Sequence, residues 1–210
     1  MVFDENLYKA PFYDYDLIRR EVMNFVDHYS ISADVPIDID YIVEFDLGMD
    51  VVPLNGLHLA FGIDSWLSKD LKTVYMDEDV FKRSDNRYRF SLAHEVGHFW
   101  LHGDFIRKFD FSNTTEWKEF QSNFPSEQYS WFETHAYDFA GLLLVPAEKL
   151  RHKFDEQISL VVGAGEKVEK FSNEILLGFI TRRLGDYFQV SKGVVEKRIF
   201  KDGLTLKPGG

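Results

Sequence analysis

The stretch Arg89-Phe90-Ser91-Leu92-Ala93-His94-Glu95-Val96-Gly97-His98-Phe99-Trp100-Leu101-His102 constrains this chain more than any other. Phe90, Ala93, Gly97 and Leu101 recur at helical spacing, which predicts a helix over 86–102 ended by Gly103. His94 and His98 lie four residues apart. They therefore project from one face, about 6 Å apart along the axis. At that spacing two imidazoles can meet one zinc ion with bonds of about 2.0–2.1 Å. Glu95 points to the side, where it can hold a water against the metal rather than bind the metal. The alternative is a core helix whose histidines only hydrogen-bond, but two histidines with an intervening Glu favour the metal. Ala93 and Gly97 are small enough to let a second helix come close.

Composition limits what else the chain can be. With 45% hydrophobic and 16% aromatic residues in 210, it can bury a substantial core. No apolar run approaches the roughly 20 residues of a membrane span. The acidic, aromatic start, Met1 to Asp16, has no basic segment of the kind that opens a signal peptide. There are no cysteines, so disulfides and thiolate ligands are excluded and a reducing cytoplasm is compatible. Any metal must take His, Asp or Glu ligands, and three such ligands with one open position is a catalytic pattern. The net charge of −11 is uneven: residues 1–60 carry 12 acidic and 3 basic side chains, residues 167–210 carry 9 basic and 5 acidic. The acidic part repels nucleic acid.

In chain order, residues 14–29 predict an amphipathic helix through Leu17, Ile18, Val22, Phe25 and Val26. Pro36 breaks the chain, and a second helix runs from Ile37 to Phe45, with Asp38 as cap and Gly48 as stop. Met49–Pro53 predicts a strand. The Asn55-Gly56 turn then predicts Leu57–Phe61 as its hairpin partner. Leu71–Met76 alternates as a third strand, and Asp77-Glu78-Asp79 opens a helical turn. Residues 104–129 read as a long loop, with some helix around Thr115–Phe120. Trp131–Val145 is a helix ended by Pro146, and Ala147–Phe154 a further one. Val161–Gly165 reads as a joint. Asn173–Tyr187 and Ser191–Phe200 form a helical pair around Phe188-Gln189-Val190, and Lys207–Gly210 is a tail. The expected fold is α+β and mainly helical. It has three short strands and a C-terminal helical pair. The expected domains are 1–160 and 161–210.

Two histidines leave zinc short of a protein ligand. On the helix from Trp131, Glu133, Ala136 and Ala140 share a face. That face can press on Ala93 and Gly97 while Glu133 reaches the metal. His102, Asp104, His135 and Asp138 compete with Glu133, which as a plain surface carboxylate would merely favour the helix start.

The pattern Phe90-x-x-Ala93-His94-Glu95-x-Gly97-His98-x-x-Leu101-His102, then Glu133-x-x-Ala136-x-x-Phe139-Ala140-x-x-Leu143-Leu144-x-Pro146, resembles the ImmA/IrrE family of zinc metallopeptidases. Pro36-Ile37-Asp38-Ile39-Asp40, Leu47–Val51, Phe188-x-Val190-Ser191 and Arg198-Ile199 are similar to it as well. The resemblance implies His94, His98 and Glu133 as zinc ligands and Glu95 as catalytic base. It also implies an endopeptidase whose protein substrate is a transcriptional repressor, and a small antiparallel three-stranded sheet beside the active-site helix; the expected location is the cytoplasm. The long aromatic segment 104–129, His135 and Tyr137 depart from the family pattern. Manganese or iron could replace zinc at an N/O site.

Hydrolysis also needs a donor for the oxyanion, and His102, His135, Tyr137 and Tyr75 are candidates. The strand Lys72–Met76 could offer a free edge to an extended substrate. A second reading is a DNA-binding regulator that uses the C-terminal pair as a helix-turn-helix. In it Ser191 caps a helix carrying Lys192, Lys197 and Arg198, with a structural metal elsewhere. That helix could equally bury Val194, Val195 and Ile199, and its few basic residues argue against DNA. A third reading, an inactive scaffold, sits poorly with an intact His-Glu-x-x-His.

Overall fold

Polar side chains at helix starts organise the first third of the protein. The computed structural model describes residues 8–83, 85–163 and 172–206. Asp14 accepts the Leu17 N–H at 2.7 Å and opens α1 (Tyr15–His28), which buries Ile18, Val22 and Phe25. Asp38 accepts the Tyr41 N–H at 3.0 Å and opens α2 (Ile39–Tyr41). The chain continues as a wider π-helical turn, Ile42–Asp46, and leaves it through Gly48 at φ 63°.

The sheet differs from the expected antiparallel one. It comprises β1 (Asp50–Leu54), β2 (Ser65–Leu67) and β3 (Thr73–Asp77) in the order β1-β3-β2. β1 pairs parallel to β3, β2 antiparallel to it, so the sheet is mixed. The predicted strand over 57–61 is instead helix α3 (Leu57–Phe61), which lies between β1 and β2 in the chain. Gly56, at φ 70°, turns the backbone, and the Asp77 carboxylate accepts the His58 N–H at 2.8 Å. That side chain stabilises a helix start where pattern alone suggested a hairpin. The hairpin forms one segment later, between β2 and β3, where Ser68 and Thr73 close the turn. β3 is therefore central and pairs on both sides, so it has no free edge to offer a substrate.

Asp77 also accepts the Asp79 and Val80 N–H groups, at 3.0 and 3.2 Å, and so opens α4 (Glu78–Arg83). The long helix α5 (Asp85–Ile106) does not stop at Gly103 as expected. That glycine lies against Leu71, and a Cβ there would stand 2.8 Å from Leu71 Cδ1. It serves close packing, not termination.

The segment expected as a loop contains α6 (Thr114–Asn123), and α7 (Ser126–Leu144) starts five residues before the predicted Trp131. Its aromatics make a core of their own. Phe109, Phe111, Phe120 and Phe124 are buried, and the Tyr8 ring packs on Phe109, Phe120 and Phe124. Phe25 of α1 stacks edge-on against both Trp100 of α5 and Phe139 of α7. α5 and α7 approach tightly at Gly97, where an added Cβ would lie 3.0 Å from the Cα and carbonyl oxygen of Ala136.

After α7 come α8 (Ala147–Gly163), α9 (Asn173–Phe188) and α10 (Lys192–Lys201). α8 runs nine residues past the expected Phe154 and takes in Val161–Gly163; Ala164 and Gly165 lie outside the described residues, as does the tail 207–210. Contacts divide the protein into two compact units. One runs up to Ser32 and from Asp38 to Ala140; the other holds Ala33–Ile37 and Gly141 onward. α8 packs on α9, so the contacts group it with the C-terminal helices, whereas the expected boundary lay near 160. In this second unit Ser191 caps α10, and Val190, Val194, Val195 and Ile199 are buried. Arg198 is buried too. It donates to the carbonyls of Gly141 and Val145 at the end of α7 and pairs with Asp202 at 2.7 Å. Among the described residues no helix is long and apolar enough to cross a membrane.

Two predictions follow from this packing. Gly97→Ala should destabilise the protein by about 1–3 kcal/mol in thermal unfolding, because overpacking against backbone outweighs the gain of roughly 1 kcal/mol in helix propensity. Asp77→Ala should cost about 2 kcal/mol at neutral pH in chemical denaturation. Burial by itself would raise the Asp77 pKa, but the three backbone N–H groups hold it below the ordinary value. Its contribution is thus complete above the unfolded carboxylate pKa and is lost as pH falls through the folded one. The gap between wild type and variant should narrow below about pH 4.

Candidate metal centre

The helical spacing read in the sequence sets His94 and His98 side by side on α5, and α7 brings Glu133 against them. His94 Nε2 and His98 Nε2 are 3.0 Å apart. Glu133 Oε2 lies 3.2 Å from His94 Nε2, and Oε1 lies 3.8 Å from His98 Nε2. A tetrahedral zinc with bonds near 2.0–2.1 Å separates its ligand atoms by about 3.3 Å. The three distances bracket that value, so these residues fit a zinc ion. Among the described residues no other His, Asp or Glu trio converges in this way. Of the competing third ligands, Asp104 is exposed and Asp138 is buried outside the trio.

The Gly97–Ala136 contact makes this possible. With no Cβ at Gly97, α7 approaches until Glu133, one turn before Ala136, is level with the histidines. Burial would raise the Glu133 pKa. The His94 hydrogen bond, the neighbouring imidazoles and the Tyr129 hydroxyl outweigh it and hold the pKa down to about 2. The His94 pKa is raised despite burial, chiefly through Glu133, while burial and the charge of His94 push His98 well below the usual range.

Glu95 is 4% exposed and is not part of the trio. Burial lifts its pKa to about 7. Ser65 Oγ donates to Glu95 Oε1 at 2.7 Å, and the Leu67 backbone N–H also bonds the carboxylate. Both donors come from β2, which lies along α5. The sequence reading missed them because β2 was not predicted.

A cavity of about 520 Å³ opens over these groups. Phe111, Trp117 and Phe120 give it an apolar wall from the segment around α6. On another side Arg87 makes a two-pronged ion pair with Asp64, at 2.5 and 2.6 Å. Tyr129 also lines it. Its hydroxyl bonds Glu133 and accepts from Gln121 Nε2, and burial together with Glu133 raises its pKa strongly. Tyr129 was missed for a definite reason. The predicted helix began at Trp131, two residues too late to reveal that Tyr129 sits one turn before Glu133.

None of the four predicted oxyanion candidates lines the cavity. Tyr75 stacks on Trp66 at 4.3 Å, and Tyr137 packs on Phe90 at 4.8 Å. His102 and His135 are each 1% exposed and lie behind the trio. His102 Nδ1 is 3.1 Å from His98 Nδ1, and His102 Nε2 is 3.3 Å from His135 Nδ1.

Residues 82–200, more than half of the chain, match the family described as the IrrE N-terminal-like domain, peptidase M78. No curated protein matches the chain. Among solved structures, a Mycobacterium tuberculosis transcriptional regulator superposes with a TM-score of 0.50 at 14% identity, over 89% of this chain and 47% of that one. This chain thus spans about half the length of that protein, and at such identity the likeness shows the fold alone. The family match extends from the end of α4 into α10 and includes the helices that carry His94, His98 and Glu133. This chain belongs to the IrrE N-terminal-like, peptidase M78 family.

Proposed function

We propose that this protein is a zinc-dependent endopeptidase in which His94, His98 and Glu133 hold the ion and Glu95 is the general base. The observation that carries the proposal is the convergence of those three ligand atoms beside a separate, buried carboxylate. Zinc, when bound, would polarise the scissile carbonyl and bring the pKa of a water toward neutrality, and manganese or iron could do similar work. Glu95, with a pKa near 7, can take a proton from the attacking water and return it to the leaving amine at neutral pH. Ser65 and the Leu67 N–H fix that carboxylate and leave it only limited freedom to turn. Tyr129 is the phenol donor in the cavity, and we assign it the developing oxyanion in place of the four candidates that lie elsewhere.

The proposed substrate is a transcriptional repressor, cut in the cytoplasm. Support for this comes from the family resemblance and from a cavity large enough for a peptide segment with apolar side chains. The DNA-binding alternative is weakened by Arg198. Of the four basic residues on α10, Arg198 is buried in hydrogen bonds to the end of α7, and Lys192 pairs with Glu196 at 3.2 Å.

The test uses purified protein and candidate repressors, beginning with any encoded beside its gene. Glu95→Gln should keep stoichiometric zinc and lose cleavage by at least about 10²-fold. His94→Ala should lose the metal itself. Cleavage retained in Glu95→Gln would exclude the general-base role, and zinc retained in His94→Ala would exclude the ligand set. Tyr129→Phe should keep zinc and KM while kcat falls about 10²-fold, as for loss of one oxyanion donor. A change confined to KM would assign it to substrate binding instead.

A further inference from the structure

We propose that the apolar end of the cavity is a side-chain subsite, that Trp117 on α6 determines its specificity, and that the bond cut lies next to a large apolar residue of the substrate. The inference rests on the endopeptidase reading above and adds which peptides fit it. α6 carries Trp117, Phe120 and Gln121 at i, i+3 and i+4, so one face of the helix brings all three to the cavity. Phe111 and Phe120 are buried, with ring centroids 5.2 Å apart, while Trp117 keeps part of its surface open. Behind them Trp66, 2% exposed, lies 6.0 Å from the Phe111 ring and 6.2 Å from the Trp117 ring. The wall is therefore aromatic in depth, and Trp117 is its surface layer.

This wall stands beside the reacting groups. Gln121 Nε2 donates to the Tyr129 hydroxyl, and that hydroxyl donates to Glu133. The aromatic face is thus two hydrogen bonds from a metal ligand. A substrate whose scissile carbonyl lies between Tyr129 and the metal trio brings the adjoining side chain against α6. Lys118 holds the helix there. Its Nζ donates to Gln121 Oε1 and, at 3.4 Å, to the carbonyl of Phe61, which ends α3; the next residues, Gly62 and Ile63, also line the cavity.

The two ends of the cavity select differently. Gln121, the polar group on the α6 face, is engaged with Tyr129 and Lys118. A charged or amide side chain entering that end would give up water for aromatic carbon, whereas a large aromatic or long aliphatic one gains by burial. At the other end Ser65 bonds Glu95, and the preceding Asp64 pairs with Arg87. The opposite charges cancel and stay partly open to solvent, so that end discriminates little. Selection falls on the side chain that meets Trp117.

The experiment digests a peptide pool carrying every residue type at each position with the zinc-loaded full chain, and sequences the new ends. At one of the two positions flanking the cut, Phe, Leu, Met, Tyr and Trp should each exceed Ala in kcat/KM by about tenfold or more. Trp117→Ala should keep stoichiometric zinc, lower kcat/KM for peptides with Phe at that position by about tenfold, and move the optimum to Trp, which fills the enlarged space. Trp117→Phe should keep the wild-type order. If Trp117→Ala unfolds, Trp117→Leu provides the same comparison. Equal cutting beside Ala, Asp and Phe, or an unchanged order of preference in the truncated variant, would overturn the subsite and leave the endopeptidase reading standing. Failure of the zinc-loaded protein to cut any peptide in the pool would overturn both.

Discussion

The close approach of α5 and α7 at Gly97 governs what the histidines of this protein can do. An α-helix displays His94 and His98 as a pair wherever it is placed, and two imidazoles alone make an incomplete site. The third group arrives because Gly97 lets the Ala136 backbone come into contact, which sets Glu133 level with the pair. Ala93, Ala136 and Ala140 are fully buried around that contact. Small side chains thus fix helix separation, and helix separation sets how near the carboxylate comes to the imidazoles.

The two carboxylates of the site are buried to opposite effect. Glu133 faces imidazoles and a phenol hydroxyl, and these hold it ionised. Glu95 faces the short strand β2, where the charge of His94, one hydroxyl and one backbone N–H only partly offset desolvation, so its pKa rises to about 7. Identical side chains acquire a ligand's and a base's properties from what surrounds them. The sheet matters to function through this one strand. β3 is paired on both sides, and β2 is the member that reaches α5.

The segment 104–129 belongs to the site as much as the helices do. Its phenylalanines bury one another in a small core. That core carries Trp117, Phe120 and Gln121 to the cavity and positions Gln121 to bond Tyr129. An aromatic cluster of this kind depends on the joint burial of several large rings, not on helical periodicity. This is why the region reads as loop in the sequence.

The sequence alone determined the parts governed by local rules. Four-residue spacing places His94 and His98 on one face, small residues mark the surfaces of α5 and α7 that meet, and caps at Asp38 and Ser191 locate helix starts. The shared face of Glu133, Ala136 and Ala140 likewise depends only on helix geometry. Tertiary structure decided whatever depends on residues far apart in the chain. Asp77 turns 57–61 into a helix by accepting a proton donor 19 residues earlier, so the sheet is mixed and not antiparallel. Leu71 gives Gly103 a packing role inside a helix it was expected to end. Ser65 and Leu67 reach Glu95 across 30 residues or nearly so, and His135 reaches His102 across 33. Local periodicity carries no information about such distant partners, because it records which face of an element is buried and not what it is buried against.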